Sequence, residues 1–146
     1  MHAQPDGSEE VLRLLREHVP EVSNGTIEIK GIVRERRKRA IVAVHASEED
    51  VDPVGSCVGQ RGMRVKALVK QLGMETVDIV RWSESPKRFL TNLLAPSRIE
   101  EIFFDESARR ATIFVSYDDK RSIMEAGEKL KLVARLVGWD LHIATG

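Results

Sequence analysis

Apolar residues along this 146-residue chain recur with two different spacings, and each switch between them marks the edge of an element. Residues 9–19 carry a helical segment that stops at Pro20. Residues 26–33 alternate instead, which places Ile27, Ile29 and Ile32 on the inner face of a strand. A basic turn over residues 34–39 leads into a second β-branched run, residues 40–45. Residues 51–58 read as a short helix, because Asp52 can cap its N-terminus and Pro53 suits the first helical position. From residue 63 to 73, Val65, Leu68, Val69 and Leu72 fall at i, i+3, i+4 and i+7, one stripe of an amphipathic helix. Val77-Asp78-Ile79-Val80 then reads as a closing strand.

The same order appears twice. A shift of 65 residues carries Gly62 onto Gly127, and Val65, Leu68, Val69, Leu72 and Gly73 onto Leu130, Val133, Ala134, Val137 and Gly138. A shift of 71 carries the strand 39–44 onto 110–115, where residues 99–104 and 111–116 flank a turn at 105–109. The second half also opens with a helical segment, residues 87–95, that stops at a proline, Pro96. Each half is helix–strand–strand–helix–helix–strand, so an α+β chain of two small units is expected, each a three-stranded sheet with helices packed on it. The boundaries fall at residues 8–82 for the first unit, 83–86 for a short linker and 87–146 for the second.

Composition narrows the chemistry. At 42% hydrophobic and 32% charged, the chain is globular, and no apolar run approaches the roughly 20 residues of a membrane span. Residues 1–7 lack the apolar core of a signal peptide, and one cysteine, Cys57, precludes an internal disulfide framework. A cytoplasmic setting is the simplest reading. His2, His18, His45 and His142 are scattered, and there is no paired nucleophile or dinucleotide fingerprint, so neither an enzyme nor a cofactor or metal site is expected. Cys57 reads as small core filler. Trp82 and Trp139, at element edges, read as fillers of the seam between units rather than platforms for stacked bases. Net charge is zero, which argues against a strong non-specific nucleic-acid binder, but the charge is segregated. Residues 34–39 carry five cations and one acid, a pattern that fits a solvated hairpin turn, and Glu48, Glu49, Asp50 and Asp52 follow as an acidic cluster.

The stretch with most chemical content is Gly59-Gln60-Arg61-Gly62, set between two predicted helices. A bare G-x-x-G arises roughly 0.7 times by chance in a chain of this length at ordinary glycine usage. Its surroundings carry the weight. From residue 53 to 74 the charges are Arg61, Arg64, Lys66 and Lys70, with no acid among them. Missing side chains at Gly59 and Gly62 would admit a phosphate backbone, and a helix N-terminus attracts anions. That is the chemistry of a KH-type RNA clamp. A P-loop needs a strand before it and Gly-Lys-Ser/Thr at its end, neither of which is present.

Several longer stretches carry a resemblance. Ile27-Glu28-Ile29-Lys30, residues 52–62, Val77 to Trp82, Leu94-Ala95-Pro96 and Val137 to Leu141 resemble the tandem KH region of the NusA family of bacterial transcription elongation and termination factors. The likeness runs from about residue 12 to the end. It implies two tandem type II KH domains, each with a three-stranded mixed sheet, that bind single-stranded RNA. In that family the RNA is the nascent transcript, and RNA polymerase or other elongation factors are the protein partners. Larger members carry further domains before the KH pair. The second unit departs from the pattern: Met124-Glu125-Ala126-Gly127 lacks the first glycine, and Asp118, Asp119, Glu125 and Glu128 offset its cations. A weakened or lost second clamp is expected.

The site expected on the first unit is therefore Gly59 and Gly62 admitting the backbone, with Gln60, Arg61, Arg64 and Lys66 on phosphates or sugars. Val58, Val65 and Ile79 would floor the bases. About four basic contacts imply a logarithmic salt slope near −3. Two alternatives share the scaffold: a protein-interaction adaptor whose RNA binding has faded, and a ribosomal-RNA or ribosome-assembly protein.

Overall fold

A computed structural model describes residues 7–146, and the polar opening stretch 1–6 lies outside them. The chain divides into two compact units with the boundary between Trp82 and Ser83. Each is α+β.

The first unit runs α1 (Ser8–His18), α2 (Pro20–Ser23), β1 (Glu28–Glu35), β2 (Arg39–His45), α3 (Pro53–Val58), a single 3-10 turn (Gln60–Gly62), α4 (Met63–Gln71) and β3 (Thr76–Arg81). Strand β2 lies in the middle, antiparallel to β1 and parallel to β3. Strands pointing the same way need a crossover, and the pair α3–α4 supplies it. One face of β2 presents Ala40, Val42 and Val44 to Val11 and Leu15 of α1 and to Leu68 and Leu72 of α4, all buried. The three isoleucines of the first strand region do face this core, although their spacing breaks strict alternation. A β-bulge between Ile29 and Gly31 adds one residue and returns Ile32 to the inner face.

The second unit repeats this plan with α5 (Pro86–Leu94), β4 (Ile99–Asp105), β5 (Arg110–Val115), α6 (Tyr117–Glu125), α7 (Gly127–Val137) and β6 (Asp140–Thr145). Its sheet order is β4-β5-β6, again antiparallel then parallel, with a bulge between Ile99 and Glu101. Ala111, Ile113 and Val115 of β5 are buried, as are Leu90 and Leu93 of α5 and Val133 of α7. Ser85 starts α5 by accepting the Arg88 N–H at 3.3 Å, with Pro86 at the first helical position.

The basic run 34–39 is not a uniformly solvated turn. Strand β1 continues through Glu35 and β2 begins at Arg39, which leaves only residues 36–38 at the tip. Arg34 is buried and meets the fully buried Glu75 through two parallel bonds, Nε to Oε2 and Nη2 to Oε1, each 2.9 Å. Its Nη1 reaches Glu10 Oε1 at 2.6 Å and the Gly7 carbonyl at 3.0 Å. Arg39 pairs with Asp78 across β2 and β3. Burial of a guanidinium is tolerable only with such partners.

Each tryptophan has recorded partners in its own unit. Lys30 Nζ lies 4.4 Å over the Trp82 ring and His45 meets its edge at 5.2 Å. Arg109 covers Trp139 at 4.4 Å, with Phe104 at 5.1 Å. These contacts hold each ring within its own unit. No helix among the described residues is long and apolar enough to cross a membrane, and none of their His, Cys, Asp and Glu side chains form a group able to hold a metal ion.

Candidate nucleic-acid interface

Asp52 accepts the Gly55 N–H at 3.1 Å and caps α3, with Pro53 at the first helical position. The helix then stops at Gly59, whose φ of 80° and ψ of 169° lie in a region open essentially to glycine alone. Arg61 and Gly62 follow with φ of 56° and 71°, both left-handed. Three of four residues in this loop thus have positive φ, which turns the chain sharply between α3 and α4 and puts Gln60 and Arg61 at the exposed apex. The two glycines have different reasons. A Cβ at Gly59 would stand 2.7 Å from Arg64 Cγ and 2.9 Å from its Cβ, so the room left there is taken by the stem of Arg64. A Cβ at Gly62 would find nothing closer than Lys66 Cε at 3.6 Å, so that side is open.

The amides are also partly spent. Gly59 N–H donates to the Gly55 carbonyl at 2.9 Å, Gly62 N–H to the Gly59 carbonyl at 3.0 Å, and Met63 N–H to the Gln60 carbonyl. The turn consumes donors that a bare helix N-terminus would have offered. Anion attraction at this loop therefore rests on side-chain charge and on the positive end of the α4 dipole.

Arg64, grouped with the phosphate-contacting cations on sequence grounds, is turned to an internal task. Its Nη1 donates to the Glu21 carboxylate at 3.0 and 3.3 Å and to the Ser56 carbonyl at 2.8 Å. That ties α4 to α2 and to α3 behind the loop. Arg61, Lys66 and Lys70 are exposed and make no ion pair among the described residues. Cys57 sits in the core beneath, and burial pushes its thiol up to about 11, a group unsuited to nucleophilic work at neutral pH.

From the loop, a groove of about 540 Å³ runs along α4 toward the start of β3. Val65, Val69 and Val77 supply apolar wall, Lys66 and Lys70 the charged rim, and Met74 and Thr76 the far end. Val65 and Lys66 were expected here. Ile79 packs against the unit's core, as Val77 also does, but does not line the groove, and Val58 is half-buried on α3 outside the groove lining. Val69, Lys70, Met74 and Val77 were missed, although Val69 is one helical turn from Val65 and Val77 shares a strand face with Ile79. Met74 is 74% exposed, an apolar side chain left at the surface beside the groove.

The second unit has no such loop. Helices α6 and α7 meet at Ala126, with φ of −95° and ψ of 44°, and no residue from 124 to 127 has positive φ. Met124 and Glu125 are the last turn of α6, and Gly127 is already helical.

Residues 7–82 match the model of the NusA-like first KH domain. The transcription termination/antitermination protein NusA of Thermus thermophilus is 40% identical over 130 residues, covering 88% of this chain and 34% of that protein. NusA of Bacillus subtilis is 40% identical over 132 residues, covering 90% and 36%. The crystal structure of APE1850 superposes with a TM-score of 0.65 at 25% identity, over 91% of this chain and 96% of that one. The chain spans about a third of the length of the curated relatives it matches.

Proposed function

We propose, from the premise that this chain belongs to the NusA-like first KH domain family, that its first unit binds single-stranded RNA in the loop and groove of α4. The observation that carries the proposal is the exposed cationic row Arg61, Lys66 and Lys70, without ion pairs among the described residues, beside an apolar groove with Gly62 open at its entrance. Gln60 and Arg61 would meet the phosphates at the apex. Lys66 and Lys70 would follow the backbone along the helix, and Val65, Val69 and Val77 would take the base faces. Arg64 holds the loop rather than the ligand, which leaves three cations and a salt slope of roughly −2.

Both units are read as type II KH domains, residues 8–82 and 87–146, joined by 83–86. The second is read as scaffold rather than clamp, since its helices meet without the left-handed turn. The biological setting that the family suggests is the cytoplasmic transcript, with pausing, termination or antitermination as the process affected and RNA polymerase as a further partner. No catalytic role is assigned.

The test replaces Gln60 and Arg61 with Asp and follows binding of labelled single-stranded RNA by fluorescence anisotropy. Both residues are exposed, so circular dichroism should be unchanged. Loss of binding by a folded double variant is the expected result. Undiminished affinity would remove the first unit from RNA recognition.

A further inference from the structure

The two units differ in a second element besides the α3–α4 loop. In the first, residues 19–27 join α1 to β1 and include α2, whose Glu21 holds the Arg64 guanidinium at 3.0 Å while its neighbour Val22 is buried. In the second, residues 95–98 alone join α5 to β4, with no helix among them. Pro20 and Pro96 hold the second place of each join, so Ser97 corresponds to Glu21, and the 65-residue shift carries Arg64 onto Lys129. The second unit thus lacks both the helical turn and its carboxylate, and a pocket of about 250 Å³ opens there. Leu94, Ile123 and Leu130 line it with apolar surface, and Ser122 and Lys129 add polar groups. Lys129 is half-buried and makes no ion pair among the described residues. Asp119 lines the pocket too, but its Oδ2 already accepts the Arg98 N–H at 3.2 Å, and the first turn of α6 favours a carboxylate there.

We propose that this pocket docks a protein partner through one helical turn that carries a carboxylate beside an apolar side chain. The carboxylate takes the part of Glu21 and pairs with Lys129, and the apolar neighbour fills the space between Leu94, Ile123 and Leu130. A half-buried ammonium has already shed part of its water, so the pair is stronger than one on open surface. RNA is the poorer occupant. Asp119 lines the same pocket, and Glu125 and Glu128 stand within four residues of Lys129, so successive phosphates meet like charge. A single carboxylate needs only Lys129. The second unit then serves as a docking module for a protein, a role that does not depend on RNA binding by the first.

The experiment titrates the isotope-labelled chain with an alanine-rich helical peptide of about 14 residues whose first turn is Pro-Glu-Val-Ser, the sequence of α2. Amide shifts should concentrate at Ser97, Ser122, Ala126, Lys129 and Leu130, which line the pocket. A peptide with glutamine in place of its glutamate should bind about tenfold more weakly, and Lys129→Met should lose affinity to the same degree. Ser122→Trp keeps the charge and fills the pocket, so it should abolish binding; Ser122 is exposed, and circular dichroism of both variants should match wild type. Equal affinity for the two peptides, shifts confined to other surfaces, or no shift at about 1 mM peptide would overturn the docking site. The same pocket shifts on adding a single-stranded tetranucleotide instead would assign the pocket to nucleic acid and overturn it too. RNA binding by the first unit should be unchanged in Lys129→Met, so the two readings fail separately.

Discussion

Replacing Glu75 with Ala should remove a large share of the first unit's stability. Glu75 is fully buried and accepts three hydrogen bonds, two from Arg34 and one from the Arg37 main chain. Removing one partner of a buried pair usually costs about 3–5 kcal/mol, because the other charge stays uncompensated. In the native protein the Glu75 bond is the largest effect raising the Arg34 pKa, against burial; the variant loses it, but a guanidinium does not give up its proton in a protein and Glu10 still favours its charged form. Glu10 remains as a partner at 2.6 Å but is itself 46% exposed, so it recovers part of the loss and places the cost near 3 kcal/mol. For a unit of this size, with total stability of about 4–11 kcal/mol, that is a substantial fraction. Urea unfolding followed by circular dichroism should show the midpoint falling by about 1–3 M with little change in slope. The paired change Arg34→Met/Glu75→Leu provides the internal check, since a buried ion pair replaced by apolar side chains is often neutral or better. It should recover most of the loss. A Glu75→Ala protein within about 1 kcal/mol of wild type, or a double variant no better than the single, would refute the reasoning.

Gly59→Ala should destabilise the loop by about 1–3 kcal/mol through its glycine-only backbone, with more added by contact with Arg64, whereas Gly62→Ala should cost about 1–2 kcal/mol. Thermal unfolding of the two variants side by side checks that order. Asp52→Ala should cost about 1 kcal/mol by uncapping α3, read from urea titrations. Cys57 should resist a thiol reagent in the native protein at pH 8 and react at the rate of unfolding in denaturant. Its folded pKa lies above the unfolded one, so the native state keeps the proton longer. Stability should therefore decline between pH 9.0 and about 11, and Cys57→Ala should remove that component of the decline.

Much of the fold was legible because its signals are local. The cap at Asp52, the proline-started helices and the valine–leucine stripe of α4 each need only neighbours a few residues away. The bulges were half-legible: isoleucines at 27, 29 and 32 cannot all face inward on a regular strand, and the extra residue after Ile29 resolves the conflict. The site was less legible wherever a partner lies far along the chain. Arg64 reads as a free cation beside Arg61 and Lys66 until Glu21, 43 residues earlier, is brought against it. Arg34 reads as part of a solvated turn until Glu75, 41 residues later, closes on it. In each case the acid that decides the role reads locally as a surface residue.

The same distinction explains why two units of one plan need not share one chemistry. Both place two helices between a central strand and a parallel neighbour, so the hydrophobic pattern alone makes them look equivalent. The difference lies in a backbone conformation that only some residues can enter. Gly59 adopts φ of 80° and ψ of 169°, which breaks α3 from α4 and lets Gln60 and Arg61 project. Met124, at the corresponding position, has a Cβ that excludes this conformation, so α6 runs on through Glu125 and the helices join at Ala126. The projection is lost before any charge is considered, and Glu125 then adds repulsion toward phosphate. Restoring cations at 125 or 128 while Met124 remains would supply charge to a helix end, with no apex to present it.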